Sequence, residues 1–538
     1  MRLAARNLPL FFAVVVCAAL LAGGSCKRSG APAAAPPKSP SLRVYVLSSV
    51  AGALEPCGCV KDMLGGIDHA AALVAKTQSA APAHLVVSAG PLLFMDPSIP
   101  EDQRTQDLWK AKAIAQSVAD MGLDAWTPGA NDWALGADQL ETLDKETKAA
   151  LLAANLSGKT ADAQPTRVVE SGGFKVGIAG VSVPKAAGVE PDGVKSSDPV
   201  AALERAKKSL DEQGAQIRIA LLSVPRGEAL RLAEKVSGYQ LLVVGKPFDR
   251  GHGNDGPTPP VLVGDTLVVQ PPNHLQAVAV VDLFVRDQSF DFKDGSGLEN
   301  SERRQSLEGR IEELTRRIAE WEKQGNVKAA DLKARKADLE RMKSELMKIA
   351  APKVPEKGSF FRYSLENVRE KAGEDPAVKK RMDAYYRQVN EHNKEAFKDR
   401  LPEPVAKDQS GYVGVEVCSS CHTKERAFWN KTRHAGAYAT LVKQYKEYNL
   451  ECVDCHVTGY DKPGGSTVTH TDKLQNVQCE VCHGPGSRHV DDPKNPELIR
   501  AAPDKSLCAG TCHHPPHVMS DWSVDEAWKH IIGPGHGK

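Results

Sequence analysis

From residue 42 to about residue 290, short apolar runs alternate with stretches whose apolar positions recur every three or four residues. The runs "LRVYVLSS", "HLVVSAG", "KVGIAGVSV", "IRIALLSV", "YQLLVVG", "TLVVQ" and "AVAVVDLFV" are rich in valine, isoleucine and leucine, and their length predicts buried strands. Between them, "GIDHAAALVAKTQ", "DLWKAKAIAQSVADMG" and "AALERAKKSLDEQG" carry the helical period. This alternation predicts an α/β domain over residues 42–292, large enough for a full core of its own.

After residue 300 the period changes. Leu307, Ile311, Leu314, Ile318 and Trp321 follow a four-three-four-three spacing with charges between them, and a second stripe runs through Leu332, Leu339, Met342, Leu346 and Ile349 after "KQGN". The pattern predicts a helical hairpin over 300–350, each arm about 30 Å long at 1.5 Å per residue. Such a hairpin is either a packing arm or a dimerising coiled coil. Residues 351–410 are strongly charged and read as a helical linker. From 411 to 538 the composition shifts again, with eight of the twelve cysteines and eleven of the sixteen histidines.

The longest apolar run lies at the start, from Leu8 to Leu21, behind Arg2 and Arg6, and has the form of an export signal. It ends in "LLAGGSC", where small residues precede Cys26. This stretch resembles the bacterial lipoprotein cleavage box, with Gly23 in place of the usual leucine, and the resemblance implies a signal over 1–26 and lipidation of Cys26. "KRSGAPAAAPPKSPS" (27–41) then reads as a flexible tether. The expected location is the periplasmic or outer-surface side of a bacterial envelope, with membrane contact through the lipid. Charge adds little: 69 Lys plus Arg against 68 Asp plus Glu gives no reason to expect a nucleic-acid partner.

Cysteine spacing carries the chemistry. "CSSCH" (Cys418, Cys421, His422), "CVDCH" (Cys452, Cys455, His456) and "CEVCH" (Cys479, Cys482, His483) are followed by "CAGTCH" (Cys508, Cys512, His513), which has one extra residue between its cysteines. In a C-x-x-C-H unit two thiols reach the two vinyl groups of one haem, and the adjacent histidine becomes the proximal iron ligand. Paired CxxC units also build zinc sites, but zinc does not require a histidine after every pair, and exported thiols oxidise unless they are engaged. Haem c is therefore the expected cofactor, with the fourth motif lengthened by a residue.

Counting limits the opposite ligands. Met519 is the only methionine after Met382, so at most one iron takes His/Met ligation. His434, His470, His489, His514, His517, His530 and His536 remain for the other places. The segments "YVGVEVCSSCHTKERAFWNKTRHAGAYATL", "ECVDCHVTGY", "CEVCHGPGSRH" and "WKHIIGPGHG" resemble the tetrahaem cytochrome c family of nitrifying bacteria over roughly 412–538. The resemblance implies a compact, mostly helical fold with stacked haems, and distal ligands at His434, His489 and His536. One haem in that family can be five-coordinate. The "GPGS" turn between His483 and His489 makes His489 the expected ligand of a neighbouring haem and not of its own motif's haem.

A second resemblance lies upstream. "RVYVLSSVAGALEP", "VVSAGPLLF", "TPGANDWALG", "LLSVPRG" and "LVVGKPFD" follow the order of the metallophosphoesterase blocks of 5′-nucleotidases, which implies a calcineurin-like α/β sandwich. In that family Asp, His and Asn hold two metals that activate water. Here the first block's D-x-H falls on Ser49 and Ala51, the second block's Asp on Pro91, and the third block's Asn-His on Ala130 and Asn131. The late histidine blocks fall on Val224 and on "GKPF" (245–248), while Asp132, His252 and Asp265 lie nearby for some different site. "EPCGCV" adds Cys57 and Cys59 on the first strand's exit loop, a structural or redox pair.

The fold class expected is thus multidomain: a degenerate phosphoesterase sandwich, a helical hairpin and a mostly α multihaem cytochrome. The leading functional expectation is an electron carrier serving other redox proteins. The alternatives are a multihaem oxidoreductase acting on a small nitrogen or oxygen species at an open iron, and a working nucleotidase.

Overall fold

The computed structural model describes residues 39–536 except 57–62, 186–189, 248–252, 325–326, 350–353 and 515–521. The signal, Cys26, most of the tether, Cys57, Cys59, His252, His517 and Met519 lie outside the described residues. The described chain belongs to one compact unit. No helix among the described residues is long and apolar enough to cross a membrane.

Two sheets stack face to face. The larger has the strand order Lys293–Asp294, Phe360–Asn367, Ala277–Phe284, Leu42–Val46, His84–Ala89, Leu123–Thr127 and Ala150–Leu151. The smaller runs Val261–Val263, Thr266–Val269, Leu241–Val244, Ile217–Ser223, Phe174–Ser182 and Thr166–Ser171. Alternate side chains of each strand point to opposite faces. Leu42, Val44 and Val46 meet Ile178, Ile219 and Leu221 between the sheets. Tyr45 and Val86 turn outward onto the helices Ile67–Thr77 and Arg104–Asp120. On the other side Val181, Ala220 and Leu222 cover the helices Pro199–Glu212 and Arg226–Lys235. The result is a helix–sheet–sheet–helix sandwich. Strands buried on both faces read as continuous apolar runs, so their lengths and not their alternation exposed them in the sequence.

The linker expected over 351–410 is not a linker. Phe360–Asn367 pairs antiparallel with Ala277–Phe284 through all eight residues, inside the larger sheet. Helix Pro376–Ala396 buries Val378, Met382, Tyr385, Tyr386 and Val389 in the same cluster as Ile114 and Val118. Asp375 caps that helix, its Oδ1 accepting from the amides of Ala377 and Val378 at 3.0 Å, with Pro376 at the first helical position. The high charge of the segment sits on the solvent side of an amphipathic helix, and this hid its buried stripe. The α/β domain therefore extends past 292 to this helix.

The helices Ser301–Gln324 and Ala329–Lys348 form the expected hairpin, inserted between two strands of the larger sheet. Its stripes close on each other at Leu307, Met342 and Ile349, with Ile311, Leu314 and Leu346 alongside. Glu312 ties it to the sheet, pairing with Arg369 at 3.1 Å and accepting from Asn367 at 3.1 Å.

Beyond 411 the helices are short, the longest among the described residues being Thr423–Trp429. Their apolar core is small: Tyr438, Val453, Val457 and Val468, with Phe397, Tyr448, Leu450 and Tyr460 against them. Residues 444–451 of this part rest on helices Arg104–Asp120 and Pro376–Ala396. Gln106 donates to Asn449 (3.3 Å), and its Oε1 accepts from Leu450 N (3.0 Å) and Asn393 Nδ2 (3.0 Å). Lys110 pairs with Glu451 at 2.7 Å, Lys446 pairs with Glu55, and the Arg387 guanidinium lies 3.7 Å from the Tyr445 ring centre.

Candidate haem sites

Each cysteine motif is built on a short helix: Val415–Cys418, Val453–His456, Cys479–His483 and Ser506–Thr511. Residues three apart share a helix face, so one turn presents two thiols to one side and the following histidine below them. The His422 amide closes that turn on the Cys418 carbonyl at 3.0 Å. In the fourth motif the extra residue is taken up before Cys512, and the His513 amide still reaches the Cys508 carbonyl at 2.7 Å.

Three motif histidines face a second imidazole. His422 lies opposite His489 with ring centres 6.4 Å apart, His513 opposite His434 at 6.3 Å, and His483 opposite His536 at 6.0 Å. One metal ion between two imidazoles, with bonds of ~2 Å on each side, sets ring centres ~6 Å apart. The pairs therefore fit an axially ligated haem iron, and direct ring stacking would bring them closer. His489 stands across from the first motif and not across from its sequence neighbour His483. The fourth motif histidine, His456, has no facing imidazole among the described residues. His470 instead sits with its Nδ1 3.1 Å from the Thr469 hydroxyl.

The ring orientations suit ligation. Nδ1 of His456 lies 2.6 Å from the Ala437 carbonyl, that of His483 2.8 Å from Arg500 O, and that of His536 3.1 Å from Pro534 O. A protonated Nδ1 bonded to a carbonyl leaves Nε2 as the free donor. Burial holds His434, His456, His483 and His513 below the ordinary imidazole value, and the His513 ring adds to this at His434. Neutral imidazole is the form that binds iron.

Glu480, inside the third motif, is a site residue that the sequence reading passed over. It is buried, its Oε1 accepts from Val413 N (3.0 Å) and Gly486 N (2.8 Å), and its Oε2 accepts from Gly414 N (2.8 Å). Gln478 adds a 2.6 Å bond from Val415 N. One carboxylate thus fixes the entry to the first motif and the turn that carries His489. The side chains of Cys418 and Cys479 touch, and Cys512 Sγ lies 4.0 Å from Cys455 O, so the motifs associate first with third and second with fourth. A carboxylate between two cysteines carries no periodic signal, and this explains why it was missed.

The α/β domain presents a different picture at the positions where a metallophosphoesterase would hold metals. Ser49 and Ala51 are buried at positive φ, with their amides bonded to the carbonyls of Ala89 and Pro91 at 2.9 Å. Asn131 donates to the Met95 carbonyl at 2.5 Å. Asp132 is fully buried and accepts from the amides of Leu93 (2.7 Å), Gly129 (2.8 Å) and Leu92 (3.0 Å). Burial pushes its carboxyl up to about 6 in spite of those donors. Asp132 is therefore a structural brace. Asp265 is exposed in the turn between the edge strand Val261–Val263 and its neighbour Thr266–Val269. The backbones close on one another: a Cβ on Gly90 would stand 2.2 Å from Gly129 N, and one on Gly245 would stand 2.1 Å from Gly90 O. Among the described residues no group of three or more His, Cys, Asp or Glu side chains is arranged to hold a metal ion. The described residues do not fit a dimetal centre.

Comparison with known proteins agrees in part. Residues 417–484 match the family model of cytochrome c554 and c-prime, a span that takes in the first three motifs. Cytochrome c-554 of Nitrosomonas europaea is 34% identical over 97 residues, covering 15% of this chain and 41% of that protein. Among solved structures, a 5′-nucleotidase precursor from Thermus thermophilus is 17% identical with a TM-score of 0.45, over 65% of this chain and 59% of that one. A calcineurin-like phosphoesterase from Bacillus subtilis is 18% identical with a TM-score of 0.38, over 46% and 86%. Residues 417–484 are thus similar to c-type cytochromes, a kind of protein whose haem c is covalently bound. They follow an α/β sandwich of two stacked sheets between helical layers.

Proposed function

We propose that this protein is an exported multihaem c-type cytochrome that passes electrons through four covalently attached haems to and from other redox proteins. The observation that carries the reading is the set of three facing imidazole pairs behind thiol pairs. Bound haem supplies reversible one-electron transfer at iron. Cys418 and Cys421, Cys452 and Cys455, Cys479 and Cys482, and Cys508 and Cys512 anchor it. His422 with His489, His483 with His536, and His513 with His434 are the facing pairs that would hold its iron. His456 would hold it with no second imidazole facing it among the described residues.

That asymmetry favours a second reading, an oxidoreductase acting on a small nitrogen or oxygen species at the iron on His456. The α/β domain supplies docking or ligand recognition and no hydrolysis, because its ligand positions carry Ser49, Ala51, Pro91, Ala130, Asn131 and Val224. The signal-like N-terminus and Cys26 support a periplasmic or outer-surface location with a lipid anchor.

Pyridine haemochrome quantification should give four haems per chain, and fewer than three would sink the reading. Manganese-dependent release of phosphate from AMP should be undetectable, and its detection would restore the nucleotidase.

A further inference from the structure

Helix Arg104–Asp120 presents Asp107 and Lys110, one turn apart, to the segment that carries the second haem motif. Lys110 Nζ lies 2.7 and 3.0 Å from the two carboxylate oxygens of Glu451, and Glu451 is directly followed by Cys452. A cavity of about 30 Å³ opens among these groups, lined by Asp107, Lys110, Glu451, Asp96, Gln103 and the strand-exit residue Gly52. That is room for one or two waters with several polar partners.

We propose that Asp107, with Lys110 and Glu451, forms a proton-exchanging charge group that couples protonation in the α/β domain to the redox state of the haem on Cys452 and Cys455. The inference rests on the haem reading above. Burial, and then the Glu451 carboxylate, push the Asp107 carboxyl up to about 7, with Lys110 opposing. Asp96 faces it from the loop after His84–Ala89, and Tyr385 from helix Pro376–Ala396. Asp107 would take up one proton from solvent through the cavity when a haem held by Cys452 and Cys455 gained one electron from a neighbouring haem, which removes one positive charge. It would release that proton on reoxidation, when the electron is passed on. A carboxyl that titrates near neutral pH beside a redox centre makes that centre's potential depend on pH.

The test is a potentiometric titration of the full holoprotein between pH 6 and pH 8.5, with haem content measured on every sample. In the wild type the midpoint of one haem should fall as pH rises, by roughly a three- to tenfold change in its reduction equilibrium, the size expected of a partly buried charge pair. Asp107→Asn should flatten that slope, and Asp107→Glu should restore it. Glu451→Gln should move the slope to lower pH, because it removes the charge that raises Asp107. A flat wild-type profile, or a slope unchanged in Asp107→Asn, would overturn the coupling. Fewer than three haems per chain would instead sink the underlying reading, so the two failures are distinguishable.

Discussion

The two halves of this molecule invert each other. The α/β domain has a deep core, with Leu42, Val44, Leu85, Ile178, Ile219 and Leu221 fully enclosed, and its polar groups at the strand ends are spent on their own backbone. The cytochrome part buries Tyr438, Val453, Val457 and Val468 as its cluster, and its histidines and cysteines are grouped for an external partner. One half has a self-contained core and, among its described residues, no cluster of side chains arranged to hold a metal ion. The other is built around cofactor chemistry and has little core of its own. A fold survives loss of its catalytic residues when its core is made of its own side chains, whereas a segment whose interior is a cofactor depends on that cofactor for stability.

The contrast can be broken most forcefully at the cofactor. Cys479→Ser combined with Cys482→Ser should remove at least one haem in four and make the chain beyond 411 protease-sensitive, while the α/β domain stays resistant. Limited proteolysis with mass detection reads both. Asp132→Ala should do the reverse, costing about 3 kcal/mol through three unsatisfied buried amides with haem spectra unchanged. Chemical denaturation followed by far-UV and Soret signals separates these effects. Glu480→Gln should cost about 2 kcal/mol, because one of its three amide donors loses its acceptor. Unlike Asp132→Ala, it should also perturb the spectra of the haems on the first and third motifs.

The smallest effect is one of pH. Burial raises the carboxyls of Asp132 and Asp144 to about 6 in the folded chain, above their ordinary value of 3.8. Folding then binds protons, so this stability is full below about pH 4 and is lost as pH rises through 6, by at most ~1.4 kcal/mol per unit for each group. Thermal melts of the far-UV signal at pH 4.5 and pH 7 should show the loss, and Asp132→Asn should reduce it.

How much of this was legible in the sequence differs between the halves for the same physical reason. The strands Leu42–Val46, Phe174–Ser182 and Ile217–Ser223 were visible because burial on both faces makes unbroken apolar runs. Strand Phe360–Asn367 alternates buried and exposed positions, and helix Pro376–Ala396 is charged on its outer face, so both read as linker. The four cysteine motifs were legible residue by residue, because covalent haem attachment would require that spacing. His489 could be assigned away from His483 from the turn between them, but which imidazole it faces depends on Glu480 and the loop at 413–414, which only the fold brings together. The interface of Lys110 with Glu451 joins residues 341 positions apart and left no local trace.

The most direct test of the central proposal, that three imidazole pairs and His456, which faces no second imidazole among the described residues, hold four irons, is quantitative EPR of the fully oxidised protein. Low-spin ferric intensity should equal three haems per chain, and high-spin intensity should equal one. Two or more high-spin haems per chain would contradict the pairs, and an entirely low-spin spectrum would contradict the open position on His456.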